Sequence, residues 1–121
     1  MKKNGGGSIV NVSSINGRIP MLNQSVYSIT KAALISMTQA FAKELGRDNI
    51  RVNAVLPGLT DTKFASALTQ NEELMRNVLQ KIPLGRIAKP SEMSGMILFL
   101  VSSAASYITG STFTVDGGML A

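Results

Sequence analysis

Three short β-branched runs, set apart by longer stretches of helical period, constrain this chain more than any other feature. Residues 8–13 (SIVNVS), 51–56 (RVNAVL) and 112–115 (TFTV) read as strands. Residues 15–24 hold the breakers Gly17 and Pro20 and read as a loop. From 25 to 45 the apolar residues Val26, Ile29, Ala33, Met37, Ala40, Phe41 and Leu45 recur at three and four, a helical stripe, and Gly46 sits where a C-cap belongs. The second strand is stopped by Pro57 and Gly58, and residues 62–80 carry a second helical pattern through Phe64, Leu68, Met75, Val78 and Leu79, closed by Pro83 and Gly85. Pro90, Ser91 and Glu92 make a helix start with Ser91 as its cap, and 93–101 continue the helix. Gly110 precedes the third strand, and Asp116, Gly117 and Gly118 end it. Strand, helix, strand, helix, helix, strand is the order of parallel βαβ units, so the expected fold class is α/β.

Length then sets how much of such a fold is present. At 121 residues, and roughly 30 per βαβ unit, the chain accommodates three strands and about three helices, one half of a doubly wound Rossmann-like parallel sheet. Residues 1–121 are expected to form a single unit. The nucleotide-binding half is expected to be absent, because no G-x-G-x-x-G occurs. Gly5 and Gly7 are followed by Val10, and they precede a strand where a dinucleotide turn must follow one. They read as a flexible approach to the first strand.

Composition excludes several chemistries. With no Cys and no His, disulfides, thiolate nucleophiles, Ser-His-Asp relays and the usual zinc sites fall away together, leaving hydroxyls, amides, lysines and carboxylates. The absence of Cys fits a reducing compartment and equally permits an oxidising one; the expectation is cytoplasmic. The longest apolar run, 96–101, is far short of a spanning helix, and Asn4 follows Lys2 and Lys3 where a signal peptide needs an apolar stretch. The net charge of +5 is scattered and accompanied by only six aromatics, two Tyr and four Phe, so a solvated basic surface is expected in place of a nucleic-acid site.

Tyr27 and Lys31 lie four apart in the first helix and share a face. A protonated lysine near a phenol favours the phenolate by charge, which would make Tyr27 a usable general acid and base. The bare spacing also fits a surface pair on an amphipathic helix; its context favours chemistry. Ser13 and Ser14 end the first strand, and the loop returns the chain so that the Tyr27 helix starts beside that end. The second strand ends in Pro57-Gly58 followed by Leu59, Thr60, Asp61 and Thr62, a turn with exposed amides and hydroxyls. Ligands of open α/β sheets bind outside such carboxyl ends.

These blocks resemble the C-terminal half of the short-chain dehydrogenase/reductase (SDR) family. Asn11-Val12-Ser13-Ser14 resembles its N-[IV]-S-S strand end and Tyr27 to Lys31 its Y-x-[AS]-[ST]-K, with the family's thirteen-residue step from Ser14 to Tyr27. Arg51 to Gly58 resembles R-V-N-x-[IV]-x-P-G. Pro83-Leu84-Gly85-Arg86 with Pro90-Ser91-Glu92, and Tyr107-Ile108-Thr109-Gly110 with Val115-Asp116-Gly117-Gly118, complete a likeness over nearly the whole chain.

The resemblance implies hydride transfer between NAD or NADP and a small-molecule carbonyl or alcohol. By it Tyr27 would be the acid/base, Ser14 would hydrogen-bond the reacting oxygen, and Lys31 would bind the nicotinamide ribose and favour the phenolate. Ser14 and Tyr27 would therefore also contact substrate, while Tyr27, Lys31, Pro57, Gly58, Thr60 and Thr62 would line the cofactor. Thr60 replaces the aliphatic residue common there, and Asn53 reads as a structural hydrogen-bonder. Residues 63–82 correspond to the family's substrate-covering lid, where Phe64, Leu68, Met75 and Leu79 fit either a pocket or ordinary packing. Met93, Met96, Ile97, Leu100 and Val101 similarly fit core or subunit contact, and a homo-oligomer is implied, with neither nucleic acid nor membrane as a partner. The missing glycine turn supplies the family's phosphate site, so the isolated chain is expected to bind cofactor poorly and to be inactive. The alternative is a truncated, non-catalytic oligomerisation or interaction module derived from the family.

Overall fold

A computed structural model describes residues 1–62 and 72–121. The elements are β1 (Gly7–Val12), α1 (Ser25–Leu45), β2 (Ile50–Pro57), α2 (Glu72–Leu79), α3 (Ser91–Val101) and β3 (Thr112–Val115). All three strands are parallel in the order β1-β2-β3, with Val10 opposite Asn53 and Val55 opposite Phe113. Parallel pairing needs long crossovers, which α1 supplies between β1 and β2, and the segment bearing α2 and α3 supplies between β2 and β3.

Alternate strand residues point to opposite faces, so the sheet has a core on each side. On one face Ile9, Ile50 and Val52 pack with Ala42 and Leu45 of α1. On the other, Val10, Val55, Phe113 and Val115 pack with Met96, Ile97 and Leu100 of α3 and with Ala105. For Met96, Ile97 and Leu100 the structure therefore supports the core reading; Val101 is exposed. Buried Asn53 ties the sheet to the segment before β3. Its amide donates to the Ile108 carbonyl (2.9 Å) and its carbonyl accepts from Ser111 N–H (3.1 Å).

Three local expectations are corrected. The first strand runs one residue earlier than 8–13: Ser13 still donates its N–H to the Val55 carbonyl (2.9 Å), but the chain beyond it turns into a 3-10 segment, Ile15–Gly17. Gly46 is the C-cap of α1, as expected, with right-handed dihedrals (φ −58); the chain then tightens into a 3-10 turn, Gly46–Asp48, and the left-handed position falls on Asn49 (φ 58). Ser91 is the first residue of α3, not its cap, and Pro90 stands before it with no side-chain cap bond. Thr62 is not helical. The second helical pattern is realised over Glu72–Leu79, while Phe64 and Leu68 lie outside the described residues.

All of the apolar stripe of α1 except Leu45 lies on its outer face. Val26 is 74% exposed and Ile29 68%, with Met37 and Phe41 also exposed. Buried instead is a stripe of small and polar residues at the same period, Ser28, Thr38 and Ala42. Small side chains let the helix lie close on the sheet, and the buried hydroxyls are satisfied. Ser28 Oγ donates to the Gln24 carbonyl, while Thr38 Oγ1 donates to the Leu34 carbonyl and accepts from Asn11 Nδ2.

Candidate active site

The carboxyl ends of β1 and β2 and the first two turns of α1 enclose a cleft of about 520 Å³. Ser14, Tyr27, Lys31, Pro57, Gly58, Thr60 and Thr62, drawn from three separate stretches of sequence, all line it. The two serines at the strand end differ in what they touch. Ser13 is buried and its hydroxyl donates to the Lys31 carbonyl across to α1 (2.7 Å). Ser14 is extended (φ −166, ψ 159), and its Oγ accepts from the Asn16 N–H (3.2 Å), which leaves its own O–H to donate elsewhere.

Tyr27 and Lys31 are both half-buried and stacked one helical turn apart. Lys31 Nζ lies 5.5 Å from the centroid of the Tyr27 ring and donates to the Val12 carbonyl at 3.1 Å. An ammonium has three donors, so this bond holds the head group at the strand end with two N–H groups to spare. The cation thus faces the aromatic ring at a distance where Coulomb attraction to a phenolate is substantial.

Backbone contacts build the opposite wall. Gly58 N–H donates to the Val115 carbonyl (2.9 Å), and a Cβ on Gly58 would stand 2.7 Å from the Cα of Asp116, so the close approach of β2 to β3 requires glycine. Thr60 Oγ1 donates to the Gly58 carbonyl (3.1 Å). The turn is then pinned by Ala88, whose N–H donates to the Leu59 carbonyl (3.0 Å) and whose carbonyl accepts from Asp61 N–H (2.9 Å). Ala88 lies in a strap closed by Arg86 and Glu92, joined by two 2.8 Å bonds, with Lys89 N–H also donating to Glu92 (2.8 Å). The Arg86 guanidinium and that N–H hold the Glu92 carboxyl down at about 2, and Glu92 in turn raises Arg86.

Several cleft residues carried no sequence signal that the motifs exposed. Asn16 is buried, and its amide donates to Gln24 Oε1, placing two carboxamides beside Ser14. Their positions, two after Ser14 and three before Tyr27, were the available hint. Met21, Met93 and Met119 add soft apolar walls, Met119 from the far end of the chain. Val78 of α2 also reaches the cleft, while Met75 and Leu79 are half-buried. Among the described residues no cluster of His, Cys, Asp or Glu could hold a metal ion, and no helix is long and apolar enough to cross a membrane.

Residues 1–120 match the profile of the family described as enoyl-(acyl carrier protein) reductase. The chain is 46% identical over 120 residues to 3-oxoacyl-(acyl-carrier-protein) reductase FabG of Thermotoga maritima, covering 99% of this chain and 48% of that protein. A short-chain type dehydrogenase/reductase from Mycobacterium ulcerans superposes with a TM-score of 0.95 at 38% identity, over 99% of this chain and 44% of that one. The gluconate 5-dehydrogenase of Burkholderia cenocepacia, solved in complex with NADP and tartrate, superposes with a TM-score of 0.96 at 28% identity, over 98% and 47%. The chain thus spans about half the length of the relatives it matches. Fold, motif order and sequence identity agree: the chain belongs to the short-chain dehydrogenase/reductase family of oxidoreductases.

Proposed function

We propose that this chain carries the catalytic half of an NAD(P)-dependent oxidoreductase acting on a small carbonyl or alcohol. The observation that carries the reading is the meeting of Ser14, Tyr27 and Lys31 in one cleft, opposite the turn from Pro57 to Thr62. The cleft volume falls within the range of roughly 300–1,000 Å³ usual for small-molecule sites.

The residues present suit the nicotinamide and ribose end of such a cofactor. Lys31 has donors left for ribose hydroxyls, and the turn after β2, lined by Pro57, Gly58, Thr60 and Thr62, offers backbone and hydroxyl groups for a carboxamide. No G-x-G-x-x-G stands in the sequence for the pyrophosphate. When bound, the nicotinamide ring supplies or accepts the hydride. Tyr27 gives its phenolic proton to the carbonyl oxygen in reduction and takes it back in oxidation. The Ser14 hydroxyl, already oriented by the Asn16 N–H, donates to that same oxygen and stabilises its developing charge. Lys31 stabilises the phenolate left on Tyr27. Met21, Met93 and Met119 exclude water on the substrate side.

Self-association is part of the same proposal, supported by the exposed apolar face of α1. Titration of NADH and NADPH fluorescence with the purified chain, beside Lys31→Met, tests the cofactor reading. Weak binding, weakened further by the substitution, is expected. No binding to the chain, together with a stable oligomer, favours the non-catalytic interaction module instead.

A further inference from the structure

Tyr27 and Lys31 share α1, but where the Lys31 ammonium sits also depends on the end of β1, to which the structure ties it. Lys31 is tied at both ends of its own residue. Its ammonium donates to the Val12 carbonyl (3.1 Å), while its backbone carbonyl accepts from the Ser13 hydroxyl (2.7 Å). Two consecutive residues of β1's end therefore grip one residue of α1, from the head group and from the main chain. Ser13 is 3% exposed, so its hydroxyl has no access to bulk water as an alternative partner. Gly17 presses on the same point: a Cβ there would stand 2.8 Å from both the carbonyl carbon and the oxygen of Lys31. The turn after β1 is thus packed directly on the Lys31 peptide, and the Ser13 hydroxyl fastens that contact with a side-chain bond.

We propose that Ser13 is a positioning residue: by binding the Lys31 carbonyl it fixes the register of α1 on β1 and so sets the ammonium against the Tyr27 ring. The inference rests on the reading of Lys31 and Tyr27 as a working pair, and separates the roles of two adjacent serines. Ser14 lines the cleft, and Ser13 spends its hydroxyl on the helix.

The sequence offers a direct readout, since it contains two tyrosines and no tryptophan. In a Tyr107→Phe background the alkaline rise in tyrosinate absorbance reports Tyr27 alone; Tyr107 is fully exposed and its ring is expendable to the fold. Four chains are compared in that background: the parent, Ser13→Ala, Ser13→Thr and Lys31→Met, each checked for intact secondary structure by circular dichroism. Removing the Lys31 cation, which faces the ring 5.5 Å from its centroid, is expected to move the rise upward. Ser13→Ala, which keeps the lysine and frees its helix turn, is expected to move the rise in the same direction and by less. Ser13→Thr, which keeps a hydroxyl, is expected to stay with the parent. If Lys31→Met moves the rise and Ser13→Ala does not, the positioning role is overturned while the Lys31–Tyr27 pair stands. If Lys31→Met leaves it unmoved, the pair itself fails and the inference with it.

Discussion

The Lys31 ammonium stands 5.5 Å from the centre of the Tyr27 ring and is held there by the Val12 carbonyl. One residue thereby joins the end of β1 to the group proposed to move the proton. Removing the phenol and removing the cation should consequently have different kinetic signatures. Wherever turnover of a carbonyl substrate is measurable, Tyr27→Phe is expected to lower kcat by about 10²–10⁴-fold, the usual contribution of a positioned acid, with little effect on cofactor affinity. Lys31→Met is expected to lower kcat and weaken cofactor binding together. Steady-state kinetics combined with nucleotide fluorescence titration separates the two, and equal loss of binding in both variants would contradict the division of labour.

Asn53 makes a different kind of prediction, about the sheet and not the cleft. Fully buried, it donates to the Ile108 carbonyl and accepts from the Ser111 N–H. Asn53→Leu has similar bulk but takes the partner from the Ser111 N–H and leaves the Ile108 carbonyl with only the long bond from Arg51 (3.4 Å), so a loss of about 1–3 kcal/mol is expected. It should appear as a lower urea midpoint with unchanged slope. Asn53→Asp keeps the acceptor for Ser111 but sets a carboxylate against the Ile108 carbonyl. Its destabilisation should ease on mild acidification as the carboxyl gains a proton it can donate.

The Arg86–Glu92 clasp predicts an acid-sensitive wall to the cleft. Glu92 sits at about 2, below its ordinary value of 4.5, because Arg86 and the Lys89 N–H bind its charged form. A carboxyl depressed in the folded state stabilises it fully above the unfolded value and loses that contribution as pH falls through the folded one, here between about 4.5 and 2. The pair is exposed, so the effect on global stability is small and salt-sensitive. Carbon-detected NMR of the Glu92 carboxyl is the measurement. In Arg86→Ala its titration should return toward the ordinary carboxylate range, and an unchanged midpoint would show that the Lys89 N–H alone sets it.

Much of the fold was legible because its signals are local. The β-branched runs gave three strands to within a residue or so, and the capping and breaker residues bounded the 25–45 helix as found. The site residues with fixed spacing, Ser14, Tyr27 and Lys31, are brought to one cleft with the turn after β2. Features that depend on tertiary context were not legible. Carboxamides such as Asn16 and Gln24 have no periodicity that marks a cleft, and Met119 reaches it from the other end of the chain. The direction in which α1 packs was hidden for a physical reason: close packing on the sheet selects small residues, so the buried face is Ser28, Thr38 and Ala42, and hydropathy points the other way.

That inversion supplies the last prediction. A helix that keeps Val26, Ile29, Met37 and Phe41 on its outer side exposes an apolar strip running most of its length. From Ile29 to Phe41 is about 18 Å at 1.5 Å per residue, long enough for a second helix to pack along it. Leaving such a strip in water is unfavourable at about 25 cal/mol per Å² of apolar surface, and a symmetric pairing of two copies covers both strips at once. The purified chain is therefore expected to run as a dimer or larger species by size-exclusion chromatography with light scattering. Ile29→Glu or Phe41→Glu puts a charge into that contact and should shift the population to monomer, with the circular dichroism of the fold retained because neither side chain belongs to the sheet-facing stripe. A wild-type chain that is monomeric at micromolar concentration and unaffected by either substitution would remove the case for self-association through α1.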